Sequence, residues 1–116
     1  MLRSAEQVLA VRPDPVALAG LEIGLVGPQP AGSDTAFEVR AFFPGLQVLA
    51  EDPVTGSLNA AVAQWLMGAG LAPANYIASQ GTAINRAGRV HLERDADGTI
   101  WVGGASVTCI AGEVTL

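Results

Sequence analysis

A long stretch without a single charged side chain, from Pro53 to Asn85, constrains the fold of this chain more than any other feature. Within it, apolar residues recur at helical spacing, namely Leu58, Ala61, Val62, Trp65 and Leu66. A helix at a protein surface normally carries charges on its solvent side. We therefore expect a central helix that is buried on most of its sides, with Trp65 in the core and with Gly68 and Gly70 where the helix stops.

Strand patterns flank this helix on both sides. The candidates, in chain order, are residues 21–26, 37–43, 76–80, 89–94, 99–102, 106–110 and 113–116. Residues 37–43 alternate as a half-buried strand, Asp97-Gly98 is a two-residue hairpin signal, and Cys109 is expected to be a small core residue. The prediction is an α+β fold in which an antiparallel sheet curls around one central helix, as a single domain over residues 1–116.

The charge balance excludes several classes of partner. The net charge is -5, and the six basic residues are scattered arginines, so no basic patch is available for nucleic acid or for an anionic membrane. One cysteine permits no intrachain disulfide, which fits a reducing compartment. No apolar run approaches the ~20 residues of a membrane span, and the first eleven residues do not have the pattern of a signal peptide. We expect a soluble, cytoplasmic protein.

The segment Glu51-Asp52-Pro53-Val54-Thr55-Gly56-Ser57 stands where the uncharged helix begins. The first N–H groups of a helix have no intrahelical partner and point outward along a positive dipole. Thr55, Gly56 and Ser57 would present such donors to a carboxylate or phosphate, and Asp52 beside the bound anion would suit a proton-transfer role. Judged from these residues alone, the commoner use of Asp52, Thr55 or Ser57 is to cap the helix.

The same segment resembles the signature of the phenazine-biosynthesis (PhzF-like) isomerase family, which has the diaminopimelate epimerase-like fold. Weaker resemblances run along nearly the whole chain. Residues 40–45 resemble the family strand before the signature, and residues 79–81, 88–90 and 103–107 resemble strands after it.

This resemblance implies that the chain is equivalent to the C-terminal half of a two-domain protein whose active site lies between the halves. It implies that Asp52 is catalytic, that Ser57 contacts a small carboxylate-bearing substrate, and that Thr55 and Gly56 lend backbone donors. The implied reaction is isomerisation by proton abstraction and return, without metal or organic cofactor. The sequence fits this because it has no metal-ligand cluster and no dinucleotide fingerprint.

Two features depart from the family pattern. The family's principal acid/base glutamate lies in its N-terminal half, and no glutamate here stands in a matching context, whether Glu6, Glu22, Glu38, Glu93 or Glu113. Leu58-Asn59 also replaces the usual alanine followed by histidine or asparagine.

Racemases of the same fold that use two thiols need a cysteine beside the Thr-Gly pair, where this chain has Pro53-Val54.

Two hypotheses remain open from the sequence. The first is an isomerase half that is active only when a matching N-terminal half completes the cleft. The second is a non-catalytic module that keeps the fold and works in anion binding or assembly. In both cases we expect the chain alone to lack isomerase activity, because the main acid/base group is missing. We also expect a homodimer that hides the face a partner half would cover.

Overall fold

The computed structural model describes residues 1–45 and 49–115. Its helices are Ala5–Ala10 (α1) and Gly56–Gly68 (α2), and its strands are Ile23–Pro28 (β1), Phe37–Pro44 (β2), Leu49–Asp52 (β3), Asn75–Gln80 (β4), Gly88–Arg94 (β5) and Ile100–Gly103 (β6). A short 3₁₀ turn covers Thr82–Ile84. The α+β class predicted from the sequence is confirmed, while Leu116, in the last predicted strand, lies outside the described residues.

The strands form one six-stranded sheet in the order β1-β2-β4-β5-β6, with β3 also paired to β2. The pairing is antiparallel except between β2 and β4, where Phe37–Val39 runs parallel to Ala78–Gln80. The expectation of a purely antiparallel sheet is therefore wrong at this one pair. The reason is topological, because β3 and α2 form a crossover that returns the chain beside β2 in the same direction.

Helix α2 forms within the uncharged stretch, as predicted, and lies on one face of the sheet. It ends with Gly70 in a left-handed conformation, φ +70°, while the Leu71 N–H bonds back to the Leu66 carbonyl at 2.8 Å. The buried residues of α2 are Asn59, Ala63, Leu66 and Met67. The expected burial on most sides is wrong, since Trp65 is 48% exposed. The sheet covers only one side of the helix, and the uncharged opposite side faces solvent.

Strand β2 is buried on both faces instead of one. Its apolar residues Phe37 and Val39 join the core against α2, as predicted. Its charged residues are covered too, with Glu38 1% and Arg40 6% exposed. The Glu38 carboxylate accepts a 2.5 Å hydrogen bond from the Ser79 hydroxyl on β4, and α1 packs over Arg40. Period-2 alternation identified the strand but not the helix that covers its polar face.

The β5–β6 hairpin is closed by residues 95–99 and not by a two-residue turn at Asp97-Gly98. The Asp95 carboxylate accepts hydrogen bonds from the Trp101 indole N–H at 2.9 Å and from the backbone N–H groups of Thr99 at 2.9 Å and Asp97 at 3.0 Å. These bonds lower the pKa of Asp95, and the bond from the Trp101 side chain contributes most. The aspartate therefore stabilises a longer loop than the dipeptide pattern indicated.

The chain after Gly103 is the largest departure from the sequence prediction. Residues 104–115 form neither helix nor strand and are exposed along their whole length. Cys109 is exposed and not a core residue. Within the described residues these predicted strands have no partner strand, and a strand needs one to form its ladder.

Neither α1 nor α2, the helices of the described residues, has the length and hydrophobicity needed to cross a membrane.

Candidate functional site

A cleft of about 560 Å³ opens where α2 begins, between the start of the helix and strands β1 and β2. Its lining residues are Glu22, Ile23, Gly24, Ala41, Phe42, Phe43, Asp52, Thr55, Ser57 and Leu58. Three of the four residues singled out from the sequence, Asp52, Thr55 and Ser57, therefore face one cleft. The fourth, Gly56, is exposed as the first residue of α2.

Asp52, the last residue of β3, is held by a hydrogen bond from the residue that precedes α2. The Thr55 hydroxyl donates a 2.7 Å hydrogen bond to Asp52 Oδ2. Thr55 is the N-cap residue of α2, yet its side chain makes no capping bond to the helix. The common capping role considered for Thr55 is therefore not the one it has here, because its hydroxyl orients the Asp52 carboxylate instead.

Gln80, at the end of β4, anchors this arrangement from the opposite side. It is completely buried, at 0% exposure. Its Oε1 accepts from the Thr55 N–H at 3.1 Å and from Asn59 Nδ2 at 2.8 Å, while its Nε2 donates to the Asp52 carbonyl at 2.9 Å and to Thr55 Oγ1 at 3.0 Å. A side-chain amide has two donor hydrogens and two acceptor positions, so all of its hydrogen-bonding capacity is used.

The first turn of α2 presents the backbone donors of the cleft. Among the described residues, the N–H groups of Gly56, Ser57 and Leu58 have no hydrogen-bond partner. The Thr55 N–H is not one of these donors, because it bonds to Gln80. Of the donors predicted at Thr55, Gly56 and Ser57, the one at Thr55 is therefore occupied, and anion binding by the others stays a prediction. Helix N-termini with unpaired N–H groups attract anions.

Glu51 has a structural role that the sequence did not reveal. The Arg40 guanidinium pairs with both oxygens of its carboxylate, at 2.9 Å and 2.8 Å. The third nitrogen, Nη1, donates to the carbonyls of Val8, Leu9 and Val11 at the C-terminal end of α1. One arginine thus fastens β3 to β2 and caps α1, which fixes the strand that ends at Asp52.

Two glycines, in segments that resemble the family only weakly, allow the β4–β5 connection to lie close to the segment that precedes α2. Gly81 has φ +86°, and a side chain there would meet the Pro53 carbonyl oxygen at 2.8 Å. A side chain at Gly88 would meet the same oxygen at 3.1 Å. The contact at Gly81 is too short for a Cβ atom, and one at Gly88 would also come within 2.7 Å of the Gln80 carbonyl oxygen. Glycine at both positions therefore lets the loop lie against Pro53.

Replacing Gln80 with leucine is expected to lower the free energy of unfolding by roughly 2–4 kcal/mol, because the Thr55 N–H and one donor hydrogen of the Asn59 amide would lose their acceptor. The Asn59 amide would keep only its bond to the Thr55 carbonyl. The matched control is Gln64→Leu on the exposed side of α2, where we expect a change within about 0.5 kcal/mol. Equilibrium urea unfolding of both variants makes the comparison. Equal losses would contradict the anchoring role.

Sequence reasoning missed Gln80, Asn59 and the Arg40–Glu51 pair, since each acts through partners distant in the chain. It also assigned no role to Glu22, an acidic residue that lines the same cleft as Asp52. Among residues 1–45 and 49–115, no three histidine, cysteine, aspartate or glutamate side chains group closely enough to hold a metal ion.

Comparison with known proteins finds similarity to a family model, to a curated relative and to a solved structure. Residues 1–112 match the family model described as phenazine biosynthesis-like protein. The chain is 38% identical over 76 residues to an uncharacterized isomerase of Pasteurella multocida, an alignment that covers 66% of this chain and 26% of that relative. The crystal structure of a Bacillus anthracis phenazine biosynthesis protein of the PhzF family superposes with a TM-score of 0.61 at 15% identity, covering 87% of this chain and 38% of that one. The last likeness shows the fold.

Proposed function

The chain belongs to the phenazine biosynthesis-like protein family, and on that premise we propose that it is the C-terminal half of an isomerase. Its reaction would be abstraction and return of a proton on a small carboxylate-bearing substrate. The aligned part of the chain spans only about a quarter of its isomerase relative, 26% of the length. The proposal therefore assigns this chain a share of an active site, with a matching N-terminal half supplying the rest.

The observation that carries the proposal is the position of Asp52 relative to the first turn of α2. The Asp52 carboxylate, held through one oxygen by Thr55, shares its cleft with Ser57 and Leu58, whose N–H groups have no partner among the described residues. A bound carboxylate would accept hydrogen bonds from those N–H groups. The same anion would lie beside Asp52. The substrate carbon that loses or gains the proton would then come within reach of the Asp52 carboxylate, as proton transfer requires.

Each residue of the motif then has a distinct part. The N–H groups of Gly56, Ser57 and Leu58, with the Ser57 hydroxyl, hold the substrate carboxylate. Thr55 keeps Asp52 in place by donating to Oδ2. Asp52 transfers one proton, and an acid/base glutamate of the N-terminal half transfers the other. Such a mechanism requires only positioned general acids and bases, so we propose that it uses no metal and no organic cofactor.

A non-catalytic anion-binding or assembly module is the alternative. It would use the same first turn of α2 but would need no proton transfer by Asp52. The two functions are separated by deuterium incorporation from heavy water, which an isomerase catalyses at the exchanged carbon and a binding module does not.

The isomerase and the anion-binding module both require the first turn of α2 to bind an anion. We expect sulfate or a small dicarboxylate to stabilise the folded chain by about 0.3–1 kcal/mol, the usual size of a charge–dipole interaction at an exposed helix N-terminus. Thermal melts with and without the anion, at equal ionic strength, measure this. No selective shift relative to chloride would contradict the predicted cradle.

A pair of variants at Gly56 identifies the donors. Gly56→Pro removes one N–H at the first helical position, where proline is well accepted. Gly56→Ala keeps this N–H, and its methyl group meets no atom within 4 Å. We expect the anion-dependent shift to shrink in the proline variant and to persist in the alanine variant. Equal shifts in both would place the anion elsewhere on the protein.

A further inference from the structure

The C-terminal segment 104–115, here called the tail, leaves the body of the protein after Gly103. No backbone hydrogen bond joins the tail to any other described residue. Its large apolar side chains are almost fully exposed, with Val107 at 85%, Ile110 at 92% and Val114 at 79%. The radius of gyration is 15.8 Å, whereas a compact domain of this length has about 13 Å. The tail is therefore extended into solvent.

The composition of the tail is that of a strand. From Ala105 to Cys109, apolar residues alternate with the hydroxyl residues Ser106 and Thr108, the period-2 pattern of a half-buried strand. The tail contains no proline, so every residue has an N–H group to offer to a ladder. Valine, isoleucine and threonine, which favour strands, make up much of it. Such a segment gains most by adding to the exposed edge of a sheet.

Of the two strands that end the path of the sheet, β1 and β6, the second has the edge better suited to receive it. At the β1 edge, the Leu2 N–H already bonds to the Val26 carbonyl at 2.8 Å. At the β6 edge, by contrast, no other described segment forms backbone hydrogen bonds along the outer side of the strand. Strand β6 also exposes large apolar side chains, with Trp101 at 60% and Val102 at 38%. An added strand would cover part of these side chains.

We propose that two copies of this chain exchange tails, so that the tail of each copy adds as a strand to the β6 edge of the other. A second copy fits this role because it brings both complementary parts, a tail and an open β6 edge. A two-fold arrangement therefore satisfies both tails and both edges at once. The inference does not rest on the proposed isomerase chemistry, and it specifies how the homodimer expected from the sequence would form.

Light scattering of the full chain and of two matched variants tests the exchange. Val107 and Val16 are each 85% exposed, but only Val107 lies in the tail. We expect a dimer of twice 11.8 kDa for the wild type at micromolar concentration. Val107→Asp should become a monomer, because a charge is placed in the new sheet. Val16→Asp should remain a dimer.

The single cysteine gives a second, local measurement. Cys109 lies in the tail and is exposed in one isolated copy. In an exchanged dimer it should react with a maleimide roughly tenfold or more slowly than in Val107→Asp, which corresponds to about 1.4 kcal/mol of protection. Circular dichroism confirms that each variant is folded.

Three outcomes would overturn the proposal. A wild-type monomer with fully reactive Cys109 would show that the tail stays in solvent. A monomer with protected Cys109 would show that the tail folds back on its own chain. A monomer that forms a one-to-one complex only with a separate N-terminal half would make that half the occupant of the β6 edge. In all three cases the anion and deuterium tests of function could still succeed.

Discussion

Replacing Arg40 with leucine is expected to lower the free energy of unfolding by about 3–5 kcal/mol, the usual cost of removing one partner from a buried ion pair. The side chains of Arg40 and Glu51 are only 7% and 11% exposed, so the glutamate would keep a buried charge without compensation. The same substitution removes the donor that caps α1 through the Val8 and Val11 carbonyls.

The matched control is Arg89→Leu. Arg89 pairs with Asp34 at 3.3 Å, but those side chains are 43% and 77% exposed. Water screens such a pair, and we expect a loss below about 1 kcal/mol. Equilibrium guanidinium unfolding of both variants gives the two free energies. If Arg40→Leu lost no more than Arg89→Leu, the buried pair would not be what holds β3, and with it Asp52, in place.

Replacing Asp52 with asparagine is expected to slow proton exchange by the assembled enzyme by roughly 10²–10⁴-fold, the usual contribution of a positioned general acid or base. The amide has nearly the same shape as the carboxylate, and its oxygen can still accept a hydrogen bond from the Thr55 hydroxyl. It cannot take up a proton at neutral pH. The turnover number should therefore fall far more than substrate affinity.

Asp34→Asn is the control for this substitution, because it makes the same chemical change on a side chain that is 77% exposed and outside the cleft. We expect its exchange rate to equal that of the wild type. The rate is measured by proton NMR in heavy water, with circular dichroism to show that both variants are folded. An Asp52→Asn enzyme with undiminished exchange would remove Asp52 from the mechanism and leave the anion-binding alternative.

The elements predicted correctly from the sequence are those that local chemistry determines. The start and stop of α2 follow from the Thr55-Gly56-Ser57 motif and from Gly70, whose effects extend over a single turn. The strand pattern of residues 37–43 is equally local. The same locality explains why Asp52, Thr55 and Ser57 could be grouped from the sequence alone, since their separation in the chain is small.

The features that escaped prediction depend on distant partners. Gln80 reaches Thr55 across 25 residues, and Arg40 reaches the α1 carbonyls across about 30, so no window of sequence contains either pair. Trp65 was expected in the core because it lies on the apolar stripe that helical spacing defines. The spacing does not reveal how wide the sheet is that covers this stripe. The tail has a strand pattern, yet whether a strand forms depends on a neighbouring edge that the sequence does not specify.

Deuterium incorporation from heavy water into cyclic or amino-acid-like carboxylates tests the central claim most directly, namely that this chain supplies one half of an isomerase site. The assay compares the pure chain with the chain mixed with a glutamate-bearing N-terminal half of the same family. The account predicts no exchange by the 116-residue chain alone and exchange that depends on Asp52 once the halves are combined. Sustained exchange by the chain alone would contradict it, and would make Glu22, the other acidic residue that lines the cleft, the next group to replace.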